Sequence, residues 1–229
     1  MSTKKHVRIG VIFLLVAAMM AVGLVSAQAA FEGDFEFEIR DGGAVVTGYR
    51  GPGGDVVVPD TLGRHPVTRI DNSAFRNIRS LVSIVIPEGV TTIGAFAFQG
   101  SFALTGVVLP ETLTAFGTNV FKDCTGLREI VIPSRVTVIS ERMFYDCVGL
   151  NVVILPDSIT VIEKEAFYNN RGLTNITIPS SVQDIERNSF RNARNVTFVV
   201  ARGSYAERVA QSRNIPFTHI EDIYEILGN

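Results

Sequence analysis

Between residues 55 and 200, apolar and polar positions alternate in short bursts that one helix or one long strand would not produce. A representative burst runs from Leu127 to Pro133, with apolar Leu127, Ile130 and Ile132 separated by polar or outward-facing positions. Alternation at period two predicts a half-buried strand, and the proline, which has no N–H to donate, ends it. Val136 and Ile139 then predict a second, shorter extended segment. Three or four polar or small residues follow, leading to an apolar pair such as Ala166-Phe167. That last stretch is read as one helical turn whose phenylalanine fills the core.

The same burst recurs at a fixed interval. Pro87, Pro110, Pro133, Pro156 and Pro179 are 23 residues apart, as are Phe75, Phe98, Phe121, Phe144, Phe167 and Phe190. Leu81, Leu104, Leu127, Leu150 and Leu173 keep the same interval, with Val196 in the sixth place. A constant period of this size identifies a solenoid, in which a unit too small to bury its own core stacks on its neighbours. Two positions after each phenylalanine stands Asn77, Gly100, Asp123, Asp146, Asn169 or Asn192. These residue types tolerate left-handed backbone, so they are turn formers and not carboxylates gathered for chemistry. Around Leu62-Gly63-Arg64-His65-Pro66 the first unit carries five extra residues, expected to form a surface loop.

With these motifs in place, the chain resembles the BspA-like, or treponemal-type, bacterial leucine-rich repeats. The resemblance covers about residues 55–200 and rests on the strand end before proline, the following Val-x-x-Ile, and Ala-Phe followed by Cys or Asn and then Leu. Arg64-His65-Pro66-Val67 and Gly203-Ser204-Tyr205-Ala206-Glu207 fit its flanks. It implies a secreted or surface-exposed binding protein, with adhesion to host proteins or other cells known for some members, but no shared ligand. Many members are longer and carry anchoring regions; no C-terminal sorting segment is expected here. The expected fold is an α/β repeat solenoid of the leucine-rich-repeat type. It has about six 23-residue units with short parallel strands, one helical turn per unit, and a cap at each end. Residues 1–29 are assigned to a signal peptide, 30–58 to the N-terminal cap, 59–200 to the repeats, and 201–229 to a C-terminal cap of short helix plus strand.

Charge and composition narrow the function. Lys4, Lys5 and Arg8 precede an apolar run from Ile9 to Val25 and the small-residue site Ala27-Gln28-Ala29, the order of a cleavable secretory leader. Its removal takes the formal charge from −2 to −5, with 18 basic residues against 23 acidic ones. Such a chain has no electrostatic footprint for nucleic acid. Two cysteines exclude a disulfide-dense scaffold and a Cys-rich metal module. Cys124 and Cys147 hold the same slot in adjacent units, which suits small buried residues. They are read as free thiols, with a disulfide between stacked units as the alternative. His65 and His219 fall at opposite ends of the array, and no nucleophile elbow, P-loop, zincin helix or dinucleotide fingerprint is present. No catalytic, metal or cofactor site is assigned, and no enzymatic activity is expected.

What remains is the outward face of the main strands. One outward row reads Asp55, Ser83, Gly106, Glu129, Val152, Asn175 and Phe198. The next reads Val57, Val85, Val108, Val131, Ile154, Thr177 and Val200, aliphatic where alternation calls for polar residues. At about 4.8 Å per strand it runs for roughly 29 Å. Two readings stand side by side: β-branched residues stabilising strands by stacking, or an apolar recognition strip. On the second, Val85, Val108, Val131 and Ile154, flanked by Glu129, Val152 and Phe198, contact a protein or cell-surface ligand. Threonines at 68, 91, 114, 137 and 160 form another row, read as structural stacking in preference to an ice-binding face. The expected function is an exported, non-catalytic recognition or adhesion module that is secreted, periplasmic or on the cell surface. A self-associating structural component of the envelope is the alternative.

Overall fold

The computed structural model describes residues 30–227, so the leader assigned to residues 1–29 lies outside the described residues. The chain winds into a solenoid with two strand-bearing sides and one side made of turns. The first side carries β4 (Gly54–Val57), β7 (Leu81–Val85), β9 (Gly106–Val108), β11 (Glu129–Val131), β13 (Val152–Ile154), β15 (Asn175–Thr177) and β17 (Thr197–Val200). The second carries β3 (Gly43–Tyr49), β6 (His65–Ile70), β8 (Thr92–Ile93), β10 (Ala115–Phe116), β12 (Val138–Ile139), β14 (Val161–Ile162) and β16 (Asp184–Ile185). Neighbouring units pair in parallel, with Ile84 opposite Val107 and Ile162 opposite Ile185, the 23-residue interval expressed as register. On the first side, ladder pairing is interrupted between β9 and β11 and again between β13 and β15.

The third side corrects the expected helical turn. The only helices among the described residues, α1 (Tyr205–Arg213) and α2 (Ile220–Leu227), both follow the last repeat. Within the repeats, every second N–H of the turn segment points along the solenoid axis. In one unit Asn119, Phe121 and Asp123 donate to the carbonyls of Glu141, Met143 and Tyr145 in the next. This geometry needs two left-handed residues per unit: Phe96 and Gly100, Asn119 and Asp123, Arg142 and Asp146, Glu165 and Asn169. The second of each pair is the Asn/Asp/Gly turn former. A left-handed non-glycine residue costs roughly 1–2 kcal/mol. Three inter-unit hydrogen bonds contribute about 0.5–1.5 kcal/mol each, so backbone bonding and backbone strain nearly cancel. The buried side chains decide the conformation.

Those side chains form continuous columns. Phe75, Phe98, Phe121, Phe144 and Phe167 are fully buried, and successive rings stack at 5.3, 5.3, 5.7 and 5.3 Å. Phe190 extends the stack at 4.9 Å. Tyr49 covers one end of the column at 5.4 Å from Phe75, and Phe198 covers the other, edge-on to Phe190 at 4.7 Å. Beside them run the buried leucine row and the inward Ile84, Ile130 and Ile176. The threonine row is also structural: Thr91, Thr114 and Thr160 turn their hydroxyls onto the carbonyls of Thr68, Thr91 and Thr137.

Both ends of the array are covered. β1 (Ala30–Glu32) and β2 (Phe35–Arg40) extend β3 by antiparallel pairing. The five-residue insertion is a small hairpin, β5 (Thr61–Leu62) against β6, turning through left-handed Gly63 and Arg64. At the far end Ser204 caps α1 by accepting from the Glu207 N–H, and Asn214 closes it in left-handed geometry. β18 (Phe217–His219) then pairs in parallel with β17 as the last strand of that sheet.

Candidate recognition face

Alternation on the first strand side points Ile84, Ile130 and Ile176 inward, so the residues beside them must face out. Val57, Val108, Val131 and Ile154 are more than half exposed, at 68, 59, 57 and 53%, and Val85 and Val152 are also exposed. Register places Val85 opposite Val108, Val131 opposite Ile154, and Glu129 opposite Val152. These six sequence-assigned residues line one groove of about 430 Å³. Its floor lies where ladder pairing lapses between β9 and β11. There Val107, whose counterparts in other units are buried, and Leu109 are only partly covered. Gly106 deepens the hollow: a Cβ built at that position meets no atom within 4 Å.

Phe198 does not belong to this face. It is fully buried and pairs with Ile176, and Val200 is likewise buried. The interval from β15 to β17 is 22 residues, one fewer than the 23 of the regular units before it, and a one-residue slip exchanges inward and outward positions. Thr197 and Val199 take the outward places instead, opposite Asn175 and Thr177.

The groove is bordered by carboxylates that the sequence pattern had dispersed among turns. Glu129 and Glu111 both line it. Among the described residues the Glu129 carboxylate has no hydrogen-bond or ion-pair partner. Glu111 accepts from the Ser134 hydroxyl and N–H at 3.1 and 3.4 Å, and Glu88 accepts from the Glu111 N–H at 3.0 Å. Asp55 accepts from the Ser83 hydroxyl at 2.6 Å. Glu88, Glu111 and Asp157 share the position directly after a strand-ending proline; aligning the units on proline is the signal that exposes the row.

The cysteines serve a different purpose. Cys124 and Cys147 are free and fully buried, and each Sγ donates to the carbonyl of the phenylalanine 26 residues earlier, Phe98 and Phe121. Ser101 and Asn170 do the same in their units, to Phe75 and Phe144. The slot is therefore a place for a small hydrogen-bond donor as well as for a small apolar group. Burial pushes the Cys124 thiol up to about 12 and raises Cys147 well above its ordinary range. Both stay protonated at neutral pH, which deprives them of nucleophilic and metal-binding character. His65 contacts the Gly42 carbonyl at one end, and His219 lies 3.0 Å from Glu207 at the other. Among the described residues no cluster of three metal-ligating side chains occurs.

A family model described as a BspA-type leucine-rich repeat region matches residues 68–197 in six copies. The chain belongs to that family. This BspA-type protein has no match among curated proteins, but it is similar to several solved structures. A leucine-rich cell surface protein of Faecalibacterium prausnitzii A2-165 is 29% identical with a TM-score of 0.60, over 76% of this chain and 55% of that one. A leucine-rich repeat protein from Eubacterium ventriosum is 25% identical with a TM-score of 0.58, over 72% and 50%. The leucine-rich repeat protein of T. pallidum is 27% identical with a TM-score of 0.50, over 75% and 71%. The BspA-type chain thus spans about half the length of the F. prausnitzii and E. ventriosum proteins. No helix among its described residues is long and apolar enough to cross a membrane.

Proposed function

We propose that this protein is an exported, non-catalytic recognition module that binds a protein or cell-surface ligand through the outward face of its main strands. The observation that carries the reading is the exposed aliphatic row Val57, Val85, Val108, Val131 and Ile154. Strand stacking by itself accounts for β-branched residues there, but not for a groove opening beneath them at Gly106. The leucine-rich-repeat family supports a protein-interaction role, and the F. prausnitzii relative is described as a cell surface protein. The leader-like residues 1–29 support export.

The test is capture of a ligand from the producing cell's surroundings by the purified protein and by a Val108→Thr/Val131→Thr/Ile154→Thr variant. Threonine keeps the β-branched shape and strand preference while removing apolar surface. Loss of capture with an unchanged circular dichroism spectrum supports the reading; equal capture by both proteins overturns it.

A further inference from the structure

The recognition face is chemically one-sided. Its outward rows, together with the residue after each strand-ending proline, hold six carboxylates (Asp55, Asp60, Glu88, Glu111, Glu129 and Asp157) and no lysine or arginine. All six are exposed. The nearest cations sit at the margins; the exposed Arg128 is one, and its guanidinium donates to the Gly149 carbonyl. Other cations are engaged on the turn side. Arg76 lies over Phe96, Arg79 over Phe102, and Lys122 over Tyr145, within 5.6 Å of the ring centres. The groove itself is therefore lined by two carboxylates, Glu111 and Glu129, and by no lysine or arginine, with the exposed Arg128 and Arg135 at its border.

From this we infer that the groove's occupant is a protein segment with an apolar core flanked by basic residues. An aliphatic or aromatic side chain enters the hollow at Gly106, and lysine or arginine on either side meets Glu111 and Glu129. The inference rests on the proposed recognition role and adds the partner's chemistry. Three features select this occupant. The hollow admits a side chain because Gly106 leaves it open. Among the described residues Glu129 has no partner to give up, so pairing it with a cation breaks no contact seen there. An acidic segment would set its own carboxylates against Glu111 and Glu129 at the groove, and like-charge juxtaposition works against association.

The test is selection of random dodecapeptides displayed on phage against the purified protein, with affinities of the selected peptides then measured as synthetic peptides at low and high salt. The expected peptides carry an apolar centre and net positive charge, and bind more weakly at high salt because screening shortens the reach of the carboxylates. Glu111→Gln/Glu129→Gln is expected to weaken binding by about 2- to 30-fold, the range for two exposed ion pairs. Gly106→Leu fills the hollow, and its Cβ meets no atom within 4 Å; it is expected to fold normally and to weaken binding more than 10-fold. Selected peptides without net positive charge, or affinities indifferent to the glutamine variant and to salt, overturn the basic-partner inference while leaving the apolar strip as the binding face. Peptides that bind the Val108→Thr/Val131→Thr/Ile154→Thr variant and Gly106→Leu as well as the natural protein overturn the strip itself. Failure to select any peptide also counts against the inference, because the open groove should accept a short segment.

Discussion

The phenylalanine column makes a quantitative prediction about how this array is held together. Phe121 is fully buried, with Phe98 at 5.3 Å and Phe144 at 5.7 Å, both within 5° of parallel. Replacing it by leucine keeps most of the apolar volume but leaves a partial cavity and removes both stacked pairs. Large-to-small core changes that delete only part of a side chain cost about 1–2 kcal/mol. Each aromatic pair adds about 0.5–1.5 kcal/mol beyond its buried area. Phe121→Leu should therefore cost about 2–5 kcal/mol, much of the stability of an ordinary domain. A double-mutant cycle separates ring–ring coupling from independent burial. Phe98→Leu with Phe121→Leu should show a coupling of about 0.5–1.5 kcal/mol. Phe98→Leu with Phe167→Leu, which lack a shared contact, should be additive within about 0.5 kcal/mol. Urea unfolding followed by far-ultraviolet circular dichroism measures both. Equal coupling in the adjacent and the distant pair, or none in either, would refute the view that units communicate through their rings.

Two further expectations concern the donor slot and the ends of the array. Cys147→Ser keeps a donor for the Phe121 carbonyl and should cost less than about 1 kcal/mol, whereas Cys147→Ala loses the donor and packing and should cost about 1–2 kcal/mol by urea unfolding. A thiol reagent should find both cysteines unreactive in the native protein and both free after denaturation without reductant; no titratable thiol would contradict the free state. At the N-terminal end, burial alone would raise Asp71, but the Asn72 N–H and the Arg40 guanidinium hold it below its ordinary 3.8. Glu207, beside His219 and the Gly203 N–H, is held below its ordinary 4.5. Because both folded values are depressed, their stabilisation is complete above the unfolded values and is lost as pH falls through the lower folded ones. Thermal stability should fall below about pH 4, and Asp71→Asn should flatten that acid limb. An unchanged limb would remove Asp71 from the account.

The period was legible because it is written in residues with a single job. Proline stops a strand, phenylalanine fills one column, and Asn, Asp or Gly marks one left-handed turn. The turn conformation was not legible. Ala-Phe after a few polar residues suits a helical turn as well as it suits backbone bonded between units. The first left-handed position carries no compositional mark either: Phe96, Asn119, Arg142 and Glu165 all adopt it, the first three held there by inter-unit backbone hydrogen bonds. Phe198 was misplaced because a fixed interval was carried one unit too far. Val196, Phe198 and Val200 alternate as an inward row, and all three are buried. That local alternation reports the shortened last interval that strict periodicity hides. The outward valines could be assigned from alternation, yet the groove could not. It depends on the lapse in ladder pairing beside Gly106, which is a property of the stacked units and not of any one of them.

The central claim is that this strand face meets the partner and the turn face does not. A photo-reactive amino acid placed at Val131, at Ile154, and at Tyr145 on the turn side, in the protein as made by its own cells, tests that claim directly. The account expects a discrete crosslinked protein from Val131 and Ile154, lost when Gly106 is changed to leucine, and none from Tyr145. Crosslinks arising equally from all three positions, or from Tyr145 alone, would contradict it.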